Sequence, residues 1–244
     1  MYSFIDLHNH FIYSIDDGAK NQAMMEKMLD IAYEDGIKTI CFTPHFKIYR
    51  FNDEEEIKEY NAHILRRFNK ATKYVAEKHP DMQLLLGNEI MYHNDICDSL
   101  LNKNCKMLNN GKYVLIEFSP HISEFDLTNA TQKLLRKGYK PVLAHFERYD
   151  CIIKKPSLLN ELKSSGVTIQ SNASTITKFG LGKTARIVKW ALKKHLIDLV
   201  ATDAHDDKIF APILSKAHKK VQKKYGDEYA KKIFHDTPAL IIKS

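Results

Sequence analysis

Short apolar runs alternate with amphipathic stretches along the chain, and almost every apolar run is followed by a histidine or a carboxylate. Phe4-Ile5 with Leu7 leads into His8 and His10, and Thr39–Thr43 stops at Pro44 and presents His45. Leu84-Leu85-Leu86 passes Gly87 to reach Glu89, and Tyr113–Ile116 ends on Glu117. Pro141–Ala144 presents His145, Val167–Gln170 leads to Ser171 and Asn172, and Ile197–Thr202 presents Asp203 and His205. Short apolar runs bounded by Gly and Pro predict buried strands.

The stretches between them carry helical periodicity. Met24, Met28, Ile31 and Ala32 form one apolar stripe that closes at Gly36, so these methionines are read as core. A long helix is predicted from about Asp53 to His79, with Ile57, Tyr60, Ile64, Phe68, Ala71 and Val75 on one side and Pro80 ending it. His63 and His79 are read as structural parts of that helix. Shorter helices are predicted over 129–137, 157–164 and 183–194, and a last one from about Pro212 to His235, interrupted near Gly226.

Strand-like runs alternating with helices imply a parallel sheet with crossover helices. The first strand is not followed by a Gly-rich phosphate loop, which argues against a dinucleotide fold. A distorted TIM-like (β/α)7 barrel fits better, because such a barrel gathers the carboxyl ends of its strands on one face, where active sites lie. Without an internal repeat or a composition break, residues 1–244 are expected to form a single domain.

Composition adds limits. At 244 residues the chain is long enough to bury a core without disulfides. Cys41, Cys97, Cys105 and Cys151 make no CxxC and no zinc-ribbon spacing, so they are read as reduced thiols of a cytoplasmic protein. No signal peptide is visible, and no apolar run approaches the roughly 20 residues of a membrane span. The net charge of +7 owes much to late lysines such as Lys216, Lys219, Lys220, Lys223 and Lys224, read as a solvated helix face. Nothing resembles an arginine-rich arm or an aromatic-interleaved strand, so specific nucleic-acid binding is not expected.

Residues two apart on an extended chain share a face, so His8 and His10 can aim both imidazoles at one point. Imidazole nitrogen binds first-row metals at about 2.0–2.1 Å. With them stand Asp17, His45, Glu89, Glu117, His145, Asp203 and His205. Charged groups at the ends of buried strands are costly unless paired or metal-bound. No matching set of strand-end lysines and arginines exists, which leaves cations as the partners. Nine donors suit two or three metals bridged by carboxylates, roughly 3.5–4 Å apart. Nitrogen and oxygen donors without thiolate fit manganese, iron or zinc.

Several segments resemble the motif series of the PHP (polymerase and histidinol phosphatase) superfamily. They are Asp6-Leu7-His8-Asn9-His10, Thr43-Pro44-His45, Gly87-Asn88-Glu89-Ile90, His145-Phe146-Glu147-Arg148-Tyr149 and Asp203-Ala204-His205. Ile15-Asp16-Asp17-Gly18-Ala19, the His-x-Glu-Arg-Tyr segment and Ser171-Asn172-Ala173 are similar to one branch, the manganese-dependent protein-tyrosine phosphatases encoded with bacterial capsule and exopolysaccharide systems. The resemblance spans the chain. It implies a distorted seven-stranded barrel and a trinuclear centre in which the nine residues are the ligands and Glu89 the bridge. It further implies that Arg148 holds the substrate phosphate, and that Lys47 and Arg50 are basic loop residues meeting an acidic phosphopeptide. The implied partner is a phosphotyrosine protein, a bacterial tyrosine autokinase with a tyrosine-rich tail. The chain departs from the pattern at Asn9, at Tyr13-Ser14 and at Phe146, none of which is a ligand position.

The chemistry expected of this set is phosphomonoester hydrolysis by water activated at the cluster, with Arg148 neutralising phosphoryl charge. A cysteine mechanism needs an arginine six residues after the nucleophile; those positions hold Lys47, Lys103, Gly111 and Ser157. Two other readings share the same centre: another PHP-type phosphoesterase, acting on histidinol phosphate or as a nuclease, and a non-catalytic metal-binding regulatory module.

Overall fold

The computed structural model describes residues 2–178, 180 and 182–244. In chain order they form β1 (Phe4–Asp6), α1 (Gln22–Glu34), β2 (Ile37–Phe42), β3 (His45–Phe46), α2 (Glu54–Lys78), β4 (Gln83–Leu86), β5 (Glu89–Met91), α3 (Ile96–Leu101), β6 (Tyr113–Glu117) and α4 (Glu124–Arg136). Then follow β7 (Lys140–Leu143), α5 (Asp150–Lys154), α6 (Leu158–Ser164), β8 (Thr168–Asn172), α7 (Ala173–Thr177), α8 (Lys183–Lys193), β9 (Leu199–Ala201), α9 (Ser215–Tyr225), α10 (Asp227–Lys231) and α11 (Thr237–Lys243).

Every strand pairing is parallel, in the orders β1-β2-β4 and β3-β5-β6-β7-β8-β9. The two sheets are one ring with two interruptions. β2 and β3 are halves of one pass broken at Thr43-Pro44, where proline has no N–H to give the ladder. β4 and β5 are halves of the next, broken at Gly87-Asn88. Gly87 donates to the Phe42 carbonyl at 2.8 Å, and a Cβ there would stand 3.2 Å from the Leu108 backbone. Seven passes therefore run in sequence order, as expected for a distorted barrel.

The ring closes at the carboxyl ends, where Asn9 bridges to Ala204, Asp203 N donates to the His8 carbonyl at 2.8 Å and His10 N to the Ala204 carbonyl at 2.9 Å. Lower in the same seam the Asp6 carboxylate takes the place of a strand partner. It accepts Thr202 N at 2.9 Å and Thr202 Oγ1 at 2.6 Å, and burial pushes its pKa up to about 6 against those bonds.

Side-chain alternation divides the core. Ile5, Leu7, Cys41, Leu115, Val142, Ala144, Leu199 and Ala201 pack together with Ile241 of α11. Their strand neighbours Ile40, Phe42, Val114, Ile116, Leu143, Ile169 and Val200 join the larger apolar layer that includes the buried helix residues.

Several expectations are corrected. α1 buries Met25, Met28, Leu29 and Ala32, so the apolar stripe is turned from the Met24–Ile31 reading. α4 starts at Glu124 rather than Asn129, because Ser123 caps it by accepting Asp126 N at 3.0 Å. The predicted last helix is α9 and α10, separated by Gly226 at φ +93°, followed by a π turn over Lys232–Asp236 and by α11. His79 ends α2, and its Nε2 lies 2.7 Å from Asp30. All four cysteines are free. No helix of the described residues is long and apolar enough to cross a membrane.

Candidate metal centre

The nine strand-end residues meet at the carboxyl end of the ring. Among the described residues their donor atoms form four overlapping groups, each within 4.8 Å: His10, Asp17, His45 and His205; His8, His145 and Asp203; His8, His10 and Glu89; His45, Glu89 and Glu117. Glu89 is the hub. Its Oε1 lies 3.1 Å from His8 Nε2 and 3.0 Å from His145 Nε2, while its Oε2 lies 3.3 Å from His10 Nε2 and 2.9 Å from His45 Nδ1. Asp203 Oδ1 is 3.4 Å from both His8 Nε2 and His10 Nε2. Glu117 Oε1 stands 3.1 Å from His45 Nδ1, and Asp17 Oδ1 stands 3.5 Å from His45 Nε2 and 3.6 Å from His205 Nε2.

Local backbone makes this convergence. β1 ends at Asp6, but the chain stays extended to His10, so both imidazoles turn to one side. The loop after His10 folds back: Ala19 N donates to the His10 carbonyl at 3.1 Å, bringing Asp17 over the cluster. Gly18 is required there, since a Cβ would sit 2.1 Å from the His10 carbonyl oxygen. His145 and Asp203 adopt left-handed backbone, at φ +32° and +51°. Such strain in non-glycine residues gathers at functional sites.

A second ring of side chains orients the first. Asp16 Oδ2 accepts His10 Nδ1 at 2.8 Å and His45 N at 3.0 Å. Gln170 Oε1 accepts His8 Nδ1 at 3.2 Å and His145 N at 2.6 Å. Asn172 Nδ2 donates to Asp203 Oδ2 at 2.6 Å. These bonds assign the protons of His8 and His10 to Nδ1, which leaves each Nε2 lone pair aimed at Glu89 and Asp203. Asp16, Gln170 and Asn172 were not among the expected site residues. Asp16 had the signal of standing beside Asp17; Gln170 had none, since the two histidines it orients, His8 and His145, lie far from it in sequence.

The charges are mutually dependent. Burial would raise the Glu89 carboxyl, but positive charge on His8 and the close approach of the His10, His145 and His45 imidazoles outweigh it and hold it well below the usual carboxylate range. Burial would likewise lower His45, yet Glu117 and Glu89 lift it to about 9. Here protons stand in for cations. The donor chemistry fits divalent ions on one further observation: His8 Nε2, His10 Nε2, His45 Nδ1, Glu89 Oε2 and Glu117 Oε1 are buried without hydrogen-bond partners. Buried polar atoms are seldom left so.

Arg148 closes a single 3-10 turn after His145, and its Nη2 donates to Asp203 Oδ2 at 2.5 Å while the side chain stays 48% exposed. It lines a cavity of about 430 Å³ together with Asp17, Lys20, Asn172, His205 and Phe210. Lys47 Nζ lies 3.8 Å from Glu117 Oε1, beside that part of the cluster. Arg50 is exposed at the end of the 3-10 turn Ile48–Arg50, and no contact among the described residues ties it to the nine donors.

The profile of the family described as "Capsular polysaccharide synthesis, CpsB/CapC" matches residues 4–243. Tyrosine-protein phosphatase CpsB of Streptococcus pneumoniae is 32% identical over 246 residues, covering 98% of this chain and 98% of that protein. Tyrosine-protein phosphatase YwqE of Bacillus subtilis (strain 168) is 32% identical over 226 residues, covering 92% of this chain and 86% of its own length. A crystal structure from work on YwqE from Bacillus subtilis and CpsB from Streptococcus pneumoniae, described as unique metal-dependent tyrosine phosphatases, matches with a TM-score of 0.85 at 27% identity, covering 98% of this chain and 94% of the other. A mutant organophosphorus hydrolase, at a TM-score of 0.59 and 11% identity over 98% of this chain and 92% of the other, shares the fold alone. With its sequence matched nearly end to end and its barrel carrying a donor cluster of this kind, the chain belongs to the CpsB/CapC family of capsular polysaccharide synthesis proteins.

Proposed function

We propose that this chain is a cytoplasmic, metal-dependent protein-tyrosine phosphatase, formed by residues 1–244 as one domain, whose substrate is the phosphotyrosine tail of a bacterial tyrosine autokinase in capsule or exopolysaccharide synthesis. The observation that carries this reading is the sharing of Glu89 between two donor groups beside an arginine that opens on a cavity. Two or three divalent cations, manganese first with iron or zinc as alternatives, would be held by His8, His10, Asp17, His45, Glu89, Glu117, His145, Asp203 and His205. When bound, they neutralise charge on phosphoryl oxygens and lower the pKa of water toward neutrality.

The chain's own groups do the rest. Arg148 is anchored through one nitrogen to Asp203, and its half-exposed guanidinium keeps further N–H groups for the phosphoryl oxygens. Asn172 holds the same Asp203 oxygen, so the guanidinium and the donor cluster share one rigid carboxylate. Lys47 places positive charge beside Glu117 at the cluster's edge, suited to acidic residues flanking the phosphotyrosine, and Arg50 extends that charge outward. A tyrosine leaving group has a pKa of about 10, so its departure needs less help from an acid than an alkyl alcohol would. A thiol nucleophile is a poor alternative: burial pushes Cys41 and Cys105 up to about 12.

The test is turnover of a tyrosine-phosphorylated kinase tail by metal-free protein with manganese added back, beside histidinol phosphate and single-stranded DNA. Chelators should abolish turnover and thiol alkylators leave it intact; a chelator-resistant activity would overturn the scheme. Arg148→Ala should raise KM and lower kcat, for a combined loss of roughly 10²-fold, while elemental analysis finds the metal content unchanged. An unaltered kcat/KM would remove Arg148 from the mechanism.

A further inference from the structure

We infer that Phe210 is the aromatic wall of the substrate cavity and selects phosphate esters of a phenol over those of an alkyl alcohol, an inference that rests on the phosphotyrosine reading above. The loop after His205 is built to hold this side chain in place. Asp206 Oδ1 accepts the backbone N–H groups of Lys208 at 2.7 Å, Ile209 at 2.6 Å and Phe210 at 3.1 Å, and His205 N donates to the Phe210 carbonyl at 3.1 Å. Phe210 is nevertheless 48% exposed. These bonds order the loop's backbone, so the place at which the half-exposed ring is presented is set before any ligand arrives.

Its position gives it a partner. Phe210 lines the cavity of about 430 Å³ that holds Arg148, and every other described residue around that cavity is polar or charged. It also lines a smaller cavity of about 170 Å³. From the smaller cavity's lining, Lys178 Nζ reaches to 5.6 Å from the ring centroid. The His205 ring lies 6.2 Å away, edge-on at 66°. A phosphate held between Arg148 and the donor cluster therefore carries its ester group past His205 to a single apolar surface. A phenol ring can stack or meet edge-to-face there, and aromatic pairs gain beyond their buried area. The shorter alkyl ester of serine has no ring to offer.

The experiment is isothermal titration of the manganese-loaded, full-length protein with two phosphonate peptides of equal charge. One carries phosphonomethyl-phenylalanine and the other an alkyl phosphonate in place of phosphoserine. Phe210→Ala should weaken the aromatic peptide about tenfold and leave the alkyl peptide unchanged. Phe210→Tyr should bind like the unaltered protein and Phe210→Leu fall between. Unchanged aromatic binding by Phe210→Ala, or equal losses on both peptides with the thermal melt and metal content preserved, would overturn the inference. Equal binding of the two peptides by the unaltered protein would overturn the inference alone, whereas failure of the manganese-loaded protein to turn over a phosphotyrosyl peptide would sink the phosphotyrosine reading and the inference with it.

Discussion

His8 and His10 are wholly buried at the inner end of the donor cluster, whereas Asp17 at its outer end is 66% exposed. Three of the inner donors have an orienting partner: Gln170 on His8, Asp16 on His10, Asn172 on Asp203. Among the described residues the Asp17 carboxylate has no such partner; it meets His45 and His205, at 3.5 and 3.6 Å. His205 turns its Nδ1 to the Asp203 carbonyl at 2.8 Å, and burial with the neighbouring His10 charge lowers its pKa, where the inner His10 is raised well above its ordinary value. The inner half is thus pre-organised by folding, with desolvation already complete. At the outer end Asp17 is exposed and comes from a loop. Cations bound inward should exchange slowly and those bound outward readily.

The largest break in that contrast is Glu89→Gln. The amide keeps the shape but offers one acceptor oxygen where two oxygens each face two imidazoles. We expect kcat to fall on the order of 10²–10³-fold or more, with at least one ion lost per chain by elemental mass spectrometry. Full retention of metal would mean that Glu89 is not the hub.

Asp16→Asn and Gln170→Ala sharpen the contrast at the next level. Neither residue is a proposed ligand, yet outer partners of metal-bound histidines typically carry about 10–100-fold in affinity or activity. Asp16 has a double task, since His10 Nδ1 and His45 N share its Oδ2. Manganese affinity measured against a chromogenic chelator should weaken within that range for both variants. Undiminished affinity in both would mean that burial alone orients the imidazoles.

These partners also mark where sequence reading stops. Eight of the nine candidate donors were legible because each follows a recognisable apolar run, Asp17 being the exception in the loop after His10, and the barrel follows from the same alternation. Gln170 was not, since it looks like the polar end of a strand until His8, far off in sequence, is placed beside it. α11 was missed for a related reason: Ile241 belongs to a core assembled from strand residues spread over the whole chain. The turned stripe of α1 has a local cause. Met24 and Met25 are both apolar, as are Leu29 and Ile31, so periodicity alone admits two registers.

The smallest expected effect lies at the outer end, in Asp17→Asn. The residue is mostly in water, so fold stability should stay within about 0.5 kcal/mol in urea unfolding. The substitution leaves one neutral oxygen opposite His45 and His205, which weakens only the group formed by His10, Asp17, His45 and His205. Inner affinity should therefore change little, while a separate, weaker manganese-binding phase shifts to higher concentration. Activity lost at low manganese should return at high manganese, which Glu89→Gln does not allow, because excess ion cannot replace the missing carboxylate oxygen. If Asp17→Asn instead strips the inner ions as Glu89→Gln does, the cluster is one cooperative unit, and the division drawn from burial and orienting partners has no functional counterpart.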